Sequence, residues 1–168
     1  MNPRAFTLIE LLIVISIIMI IATVGITSFS SARMGLVVDL ESDKLVSLLH
    51  TLRNETRAKS KCFGIAFEKN KPPQKIEAAY KNPVEGCDKP VSSTLQFDPD
   101  LVLTDVKLDA RAQNAMSVTF VPPYGTMQFE PHGNDLELAL SLRTGAYVAQ
   151  TIRISSTTGK IEKMRGRK

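Results

Sequence analysis

Five sets of side chains in this sequence have types and spacings that could do chemistry. They are one acid in an apolar run (Glu10), two cysteines (Cys62, Cys87), two histidines (His50, His132), four acids close together (Asp98, Asp100, Asp105, Asp109) and a basic C-terminus (Lys160, Lys163, Arg165, Arg167, Lys168). Catalysis finds no support among them. His50 lies beside Leu48 and Leu49, and His132 sits in a Pro-His-Gly-Asn turn, so both read as structural or exposed residues. The sequence holds no catalytic triad, no HExxH or CxxC motif and no phosphate-cradling glycine loop. An oxygen-ligand site for Ca²⁺ would draw on clustered carboxylates. The aspartate spacing of two, five and four does not fit an EF-hand loop, and Asp105 and Asp109 alternate with Val106 and Leu108 as a solvated strand face does. No enzyme, metal or other cofactor is expected.

The cysteines and the C-terminal cations keep a role. An even cysteine pair in a domain outside the cytoplasm reads as a disulfide. Closing the loop from Cys62 to Cys87 restricts the unfolded chain by about 3.5 kcal/mol, and a metal site on this pair lacks its third and fourth ligands. The charge is segregated. Residues 150–168 hold Arg153, Lys160, Lys163, Arg165, Arg167 and Lys168 against Glu162 alone, a net +5, whereas residues 6–149 sum to −2. Lys160, Lys163, Arg165, Arg167 and Lys168 could contact DNA phosphates without regard to sequence. The alternative is that they keep an exposed strand edge soluble. No aromatic interleaves them, which argues against base stacking.

Two contrasting parts of the chain must position these groups. The length of 168 residues suits one domain. From residue 11 to residue 32 no charge occurs, and as a helix this run rises about 33 Å, enough for a bilayer core of about 30 Å. A secretory signal peptide is one reading of such a start, but the run exceeds the usual signal core and Glu10 sits at its edge, where a carboxylate is costly without a partner. Beyond it, Leu36, Val37, Leu40, Leu45, Leu48, Leu49 and Leu52 form an apolar stripe at helical spacing. No proline lies between Pro3 and Pro72. The pattern predicts one helix over 6–59, about 80 Å long: residues 6–32 as a transmembrane assembly half and 33–61 as an amphipathic half.

From Cys62 the period becomes two. Strands are predicted over 63–68, 75–80, 94–97, 101–108, 117–121, 126–130, 136–143, 149–155 and 160–164, separated by turn signals such as Pro72-Pro73, Pro122-Pro123, His132-Gly133-Asn134 and Thr158-Gly159. The fold class is therefore α+β, a long helix packed on an antiparallel β-domain over 62–168.

The string Arg4-Ala5-Phe6-Thr7-Leu8-Ile9-Glu10-Leu11-Leu12-Ile13-Val14-Ile15 resembles the class III signal of type IV pilins and type II secretion pseudopilins. The resemblance implies a leader over 1–5, cleavage by prepilin peptidase between Ala5 and Phe6, N-methylation of Phe6, and Glu10 as the assembly residue. The physical logic is that Glu10 of one subunit neutralises the new N-terminal amine of the next and sets the register of a featureless apolar interface. The implied partners are other pilin or pseudopilin subunits, the peptidase, the inner-membrane assembly platform and the membrane. The chain would be a single-pass inner-membrane protein with its domain outside the cytoplasm, and an extracytoplasmic fibre subunit after assembly. Ala5 stands where the family has Gly, and the helix lacks the proline found in the distal half of many major pilins.

Two further segments, Val121-Pro122-Pro123-Tyr124-Gly125-Thr126 and the run from Ile152 through Ser155 and Gly159 to Ile161, are similar to the GspH/FimT-type pseudopilin domain. This similarity implies a minor subunit. In the FimT branch a basic C-terminus goes with DNA binding, and Arg165-Gly166-Arg167-Lys168 is similar to it. The expectation is thus a minor pilin or pseudopilin, with a DNA-capturing minor pilin and a non-assembling, signal-anchored periplasmic protein as alternatives.

Overall fold

The computed structural model describes residues 7–82, 85–88, 91–95, 97–99, 101–143 and 150–164, with the backbone alone for 23–32, 91, 92 and 94. Helix α1 runs over Leu8–Lys59, beginning two residues after the expected start. Thr7 is the reason. Its backbone is extended and its Oγ1 accepts the Glu10 N–H at 3.3 Å, so it caps the first turn. The helix ends where Ser60 turns into the left-handed region, with Arg57 and Lys59 favourably placed in the last turn. The described side chains from Thr7 to Ala22 are all exposed. Among the described residues no helix is long and apolar enough to cross a membrane.

The second half of α1 packs on the β-domain through a seam that differs from the predicted stripe. Val38, Ser42, Leu45, Leu49, Leu52 and Thr56 are buried, at alternating spacings of four and three, whereas Leu36 and Leu40 are each 58% exposed. Polar residues can occupy this seam because the helix satisfies them: Ser42 Oγ donates to Val38 O at 2.6 Å and Thr56 Oγ1 to Leu52 O at 2.9 Å. Leu45, Leu49 and Leu52 fix the register, since burying each contributes about 1.5–3 kcal/mol.

Among the described residues twelve strands follow: β1 Cys62–Glu68, β2 Gln74–Ala78, β3 Tyr80–Asn82, β4 Gly86–Cys87, β5 Val91–Thr94, β6 Leu101–Leu108, β7 Arg111–Ala112, β8 Ala115–Val121, β9 Thr126–Glu130, β10 Asp135–Leu142, β11 Gln150–Ser155 and β12 Ile161–Met164. All pairings are antiparallel, as expected, but they make two five-stranded sheets, β5-β2-β1-β8-β9 and β12-β11-β10-β6-β7, and the small β3-β4 ladder. The strand expected at 94–97 lies earlier, at β5, and that expected at 75–80 divides into β2 and β3. In β6 the alternation slips because the register against β10 shifts between Ala139 and Leu140. Thr104 falls at the slip and donates Oγ1 to Ala139 O at 3.2 Å, so the buried phase changes from Leu101 and Leu103 before it to Val106 and Leu108 after it.

One core joins α1 to both sheets. Phe63, Ile65 and Phe67 of β1, Val118 and Phe120 of β8, and Leu136, Leu138 and Leu140 of β10 gather around Leu45, Leu49 and Leu52. Gly64 lies between strands β2 and β8, opposite Ile76 and Thr119. A Cβ there would overlap the Val118 carbonyl oxygen. Gly64→Ala is expected to cost about 3 kcal/mol, the upper end for overpacking. Urea unfolding of the two proteins in detergent checks this, and a loss below about 1 kcal/mol would mean that the strands part easily.

Candidate functional site

Three places collect the residues singled out by sequence. The first is the start of α1. Glu10 occupies the first helical turn, exposed, among Leu8, Ile9, Leu11 and Leu12, which are 55–78% exposed. A carboxylate in this turn interacts favourably with the N-terminal helix dipole. It has no ion pair among the described residues. Ala5 and Phe6 lie outside the described residues. Thr7 is the residue that sequence reasoning passed over, although Thr7-Leu8-Ile9-Glu10 has the spacing of a capping box.

The second place is the C-terminal basic group. Lys160 pairs with Glu162 across one residue. Lys163 reaches from β12 to the helix, where its Nζ donates to Asp39 Oδ1 at 2.8 Å and also to Asp43. Gln150 Nε2 donates to the same Asp39 oxygen at 3.2 Å. Burial works against the Lys163 ammonium, but the hydrogen bonds and charges of Asp39 and Asp43 outweigh it and raise its pKa above the ordinary 10.5. Its proton is therefore held more tightly in the folded chain, and the stabilisation is whole at neutral pH and lost as pH rises through the raised value. Lys163→Met is expected to cost about 1 kcal/mol at neutral pH, and the difference from the native chain should vanish in strongly alkaline urea titrations. A pH-independent difference would mean that the stem packs and the charge does nothing. Arg165, Arg167 and Lys168 lie outside the described residues.

The third place was not foreseen. Two turn-bearing segments, 121–126 and 152–161, converge on one side chain of α1. Arg53 Nη1 donates to Gly159 O at 2.9 Å, and Arg57 Nε to Tyr124 O at 2.8 Å. Gly125 and Gly159 have φ of +65° and +69°, and a Cβ at either would press on Arg53 at 3.0 and 2.8 Å. These glycines therefore serve both a left-handed turn and close approach of Arg53, Gly125 to its Cγ and Gly159 to its guanidinium. The signal in the sequence was two arginines four apart, on one face near the helix end.

The cysteines, histidines and aspartates take separate places. Cys62 and Cys87 are bonded, with Cα atoms 6.1 Å apart. His50 and His132 are exposed. Asp109 accepts the Asn134 and Asp135 N–H groups at 3.1 and 2.9 Å, and Asp105 pairs with Lys107 at 2.9 Å. That pair raises the Lys107 pKa, through its hydrogen bond first and its charge second. Among the described residues no three metal-binding side chains meet, and Asp100 lies outside them.

Residues 1–26 match the family model of the prokaryotic N-terminal methylation motif. The chain carries a prepilin-type N-terminal signal. No curated protein and no solved structure matches the chain. The prepilin signal takes in the Ala5–Phe6 junction, Thr7 and Glu10 together, so the exposed acid on the first turn of α1 belongs to a signal processed by prepilin peptidase. Its last residues, Gly25 and Ile26, fall inside α1. From Leu8 to Ile26 the signal is thus the first part of α1.

Proposed function

We propose that this chain is a minor pilin or pseudopilin of the GspH/FimT type, cleaved before Phe6, N-methylated there, and assembled into a type IV pilus or a type II secretion pseudopilus. The match of residues 1–26 to the methylation motif carries this reading. Before assembly, the apolar half of α1 holds the subunit in the inner membrane with the β-domain outside the cytoplasm; the uncharged run over 11–32 supports this. On assembly, the apolar half leaves lipid for a stack of similar helices, and Glu10 meets the amine of a neighbour. The minor-subunit part rests on the two segments that meet at Arg53. The test is the sheared fibre fraction of the host: the chain should appear there when prepilin peptidase is active and stay in the membrane when the peptidase is inactivated. Presence in membranes alone, under both conditions, would leave a non-assembling anchored protein.

DNA capture through the C-terminus is the weaker reading. Lys160 and Lys163 are already engaged with Glu162, Asp39 and Asp43, which leaves it Arg165, Arg167 and Lys168.

A further inference from the structure

Helix α1 has one start in the structure and a competing one in the sequence. In the structure Thr7 caps it, with φ −80° and ψ 149°; the Thr7 carbonyl accepts the Leu11 N–H at 3.3 Å and its Oγ1 accepts the Glu10 N–H at 3.3 Å. Glu10 is then the third helical residue, where a carboxylate is favoured by the helix dipole. Upstream the sequence reads Asn2-Pro3-Arg4-Ala5. Asn followed by Pro is the pattern of a cap and a first helical residue, and alanine is the strongest helix former.

The two starts treat the Ala5–Phe6 bond in opposite ways. In a helix begun at Asn2, the ladder of i to i−4 bonds would join the Phe6 N–H to the Asn2 carbonyl and the Ile9 N–H to the Ala5 carbonyl. The bond to be cut would then have both of its polar groups engaged. In a helix capped at Thr7 the ladder begins at the Thr7 carbonyl, one residue beyond that bond. Proteases cut the opened chain, and the rate follows the open population when opening and closing are fast.

We infer that Thr7 is a positioning residue for leader cleavage: by capping α1, its hydroxyl keeps the helix from running back through the Ala5–Phe6 bond. The inference rests on the proposed cleavage before Phe6 and requires no contact between Thr7 and the peptidase. A capping oxygen biases the start of a helix about fivefold against Ala or Val at the same position. Cleavage should follow that bias.

The test is the cleavage rate of the full chain in membranes after addition of prepilin peptidase, followed by intact mass. Thr7→Val keeps the shape and loses the acceptor oxygen, and should be cut about fivefold more slowly. Thr7→Ser and Thr7→Asn change the shape and keep an acceptor, and should be cut within about twofold of the native rate. Asn2→Ala weakens the competing start; silent by itself, it should restore most of the rate to Thr7→Val. A native rate for Thr7→Val, or no rescue by Asn2→Ala, overturns the inference. Slow cutting of Thr7→Ser and Thr7→Asn also overturns it, since the peptidase would then be reading the side chain at this position directly. A native chain that stays uncut while another prepilin is cut by the same enzyme would instead overturn the cleavage reading on which the inference stands.

Discussion

Removing the Cys62–Cys87 bond is expected to lower the unfolding free energy by about 3.5 kcal/mol, from the loop entropy returned to the unfolded chain. The folded segment shows why little else compensates. Between β2 and β5 the described residues make a short ladder, Tyr80 with Cys87 and Asn82 with Gly86, an Asp88 N–H to Ala79 O bond at 2.8 Å, a Glu85 N–H to Asn82 Oδ1 bond at 2.7 Å and the exposed Lys81–Asp88 pair. Exposed pairs of that kind are worth well under about 1 kcal/mol. Cys62 is buried as the first residue of β1, directly after α1, so the bond ties the β3-β4 ladder to the junction of helix and sheet. In the Cys62→Ala, Cys87→Ala variant, urea unfolding in detergent should show the loss, and amide exchange should quicken first in β3 and β4. A change below about 1 kcal/mol would mean that pairing of β5 with β2 alone holds this segment.

Glu10→Ala is expected to reduce incorporation into sheared fibres about tenfold or more while leaving the amount in the membrane unchanged. The reason lies in what surrounds the acid. Its neighbours Leu8, Ile9, Leu11 and Leu12 are all exposed apolar side chains, so on the assembly reading the interface they build has no polar feature of its own to set register. A carboxylate brought into such a setting costs about 2.5–3.5 kcal/mol at full membrane depth unless a cation meets it. In the proposed assembly the amine of a neighbouring subunit, freed by cleavage before Phe6, would be that cation, and a loss of about 1.4 kcal/mol already corresponds to tenfold. Glu10→Gln should behave like Glu10→Ala, since it keeps the shape and loses the charge. Wild-type incorporation of either variant would remove the charge pairing from the account.

The difference between what sequence reasoning reached and what it missed is physical. Strands β6 and β9 have the predicted bounds, 101–108 and 126–130, because half-buried alternation between strong turn residues is a local signal. Helix α1 was legible through its long proline-free apolar periodicity. Its facing was not: a stripe containing Leu36 and Leu40 looks better than one containing Ser42, until the Ser42 hydroxyl is satisfied by the turn before it. Strands β3, β4 and β7 have two or three residues each, too few to show any period. The division into two sheets and the meeting of Gly125 and Gly159 at Arg53 depend on contacts far apart in the chain. So does the engagement of Lys163 by Asp39 and Asp43. Within the prepilin signal, Glu10 was visible as an acid out of place, and Thr7 was hidden by being an ordinary helix cap.

The measurement closest to the central claim is the intact mass and N-terminal sequence of the chain recovered from cells that contain prepilin peptidase. The account predicts a chain that begins at N-methylated Phe6, with Ala5 accepted in the position before the cut. A chain that still begins at Met1, or one that begins near residue 32 after ordinary signal cleavage, would contradict it.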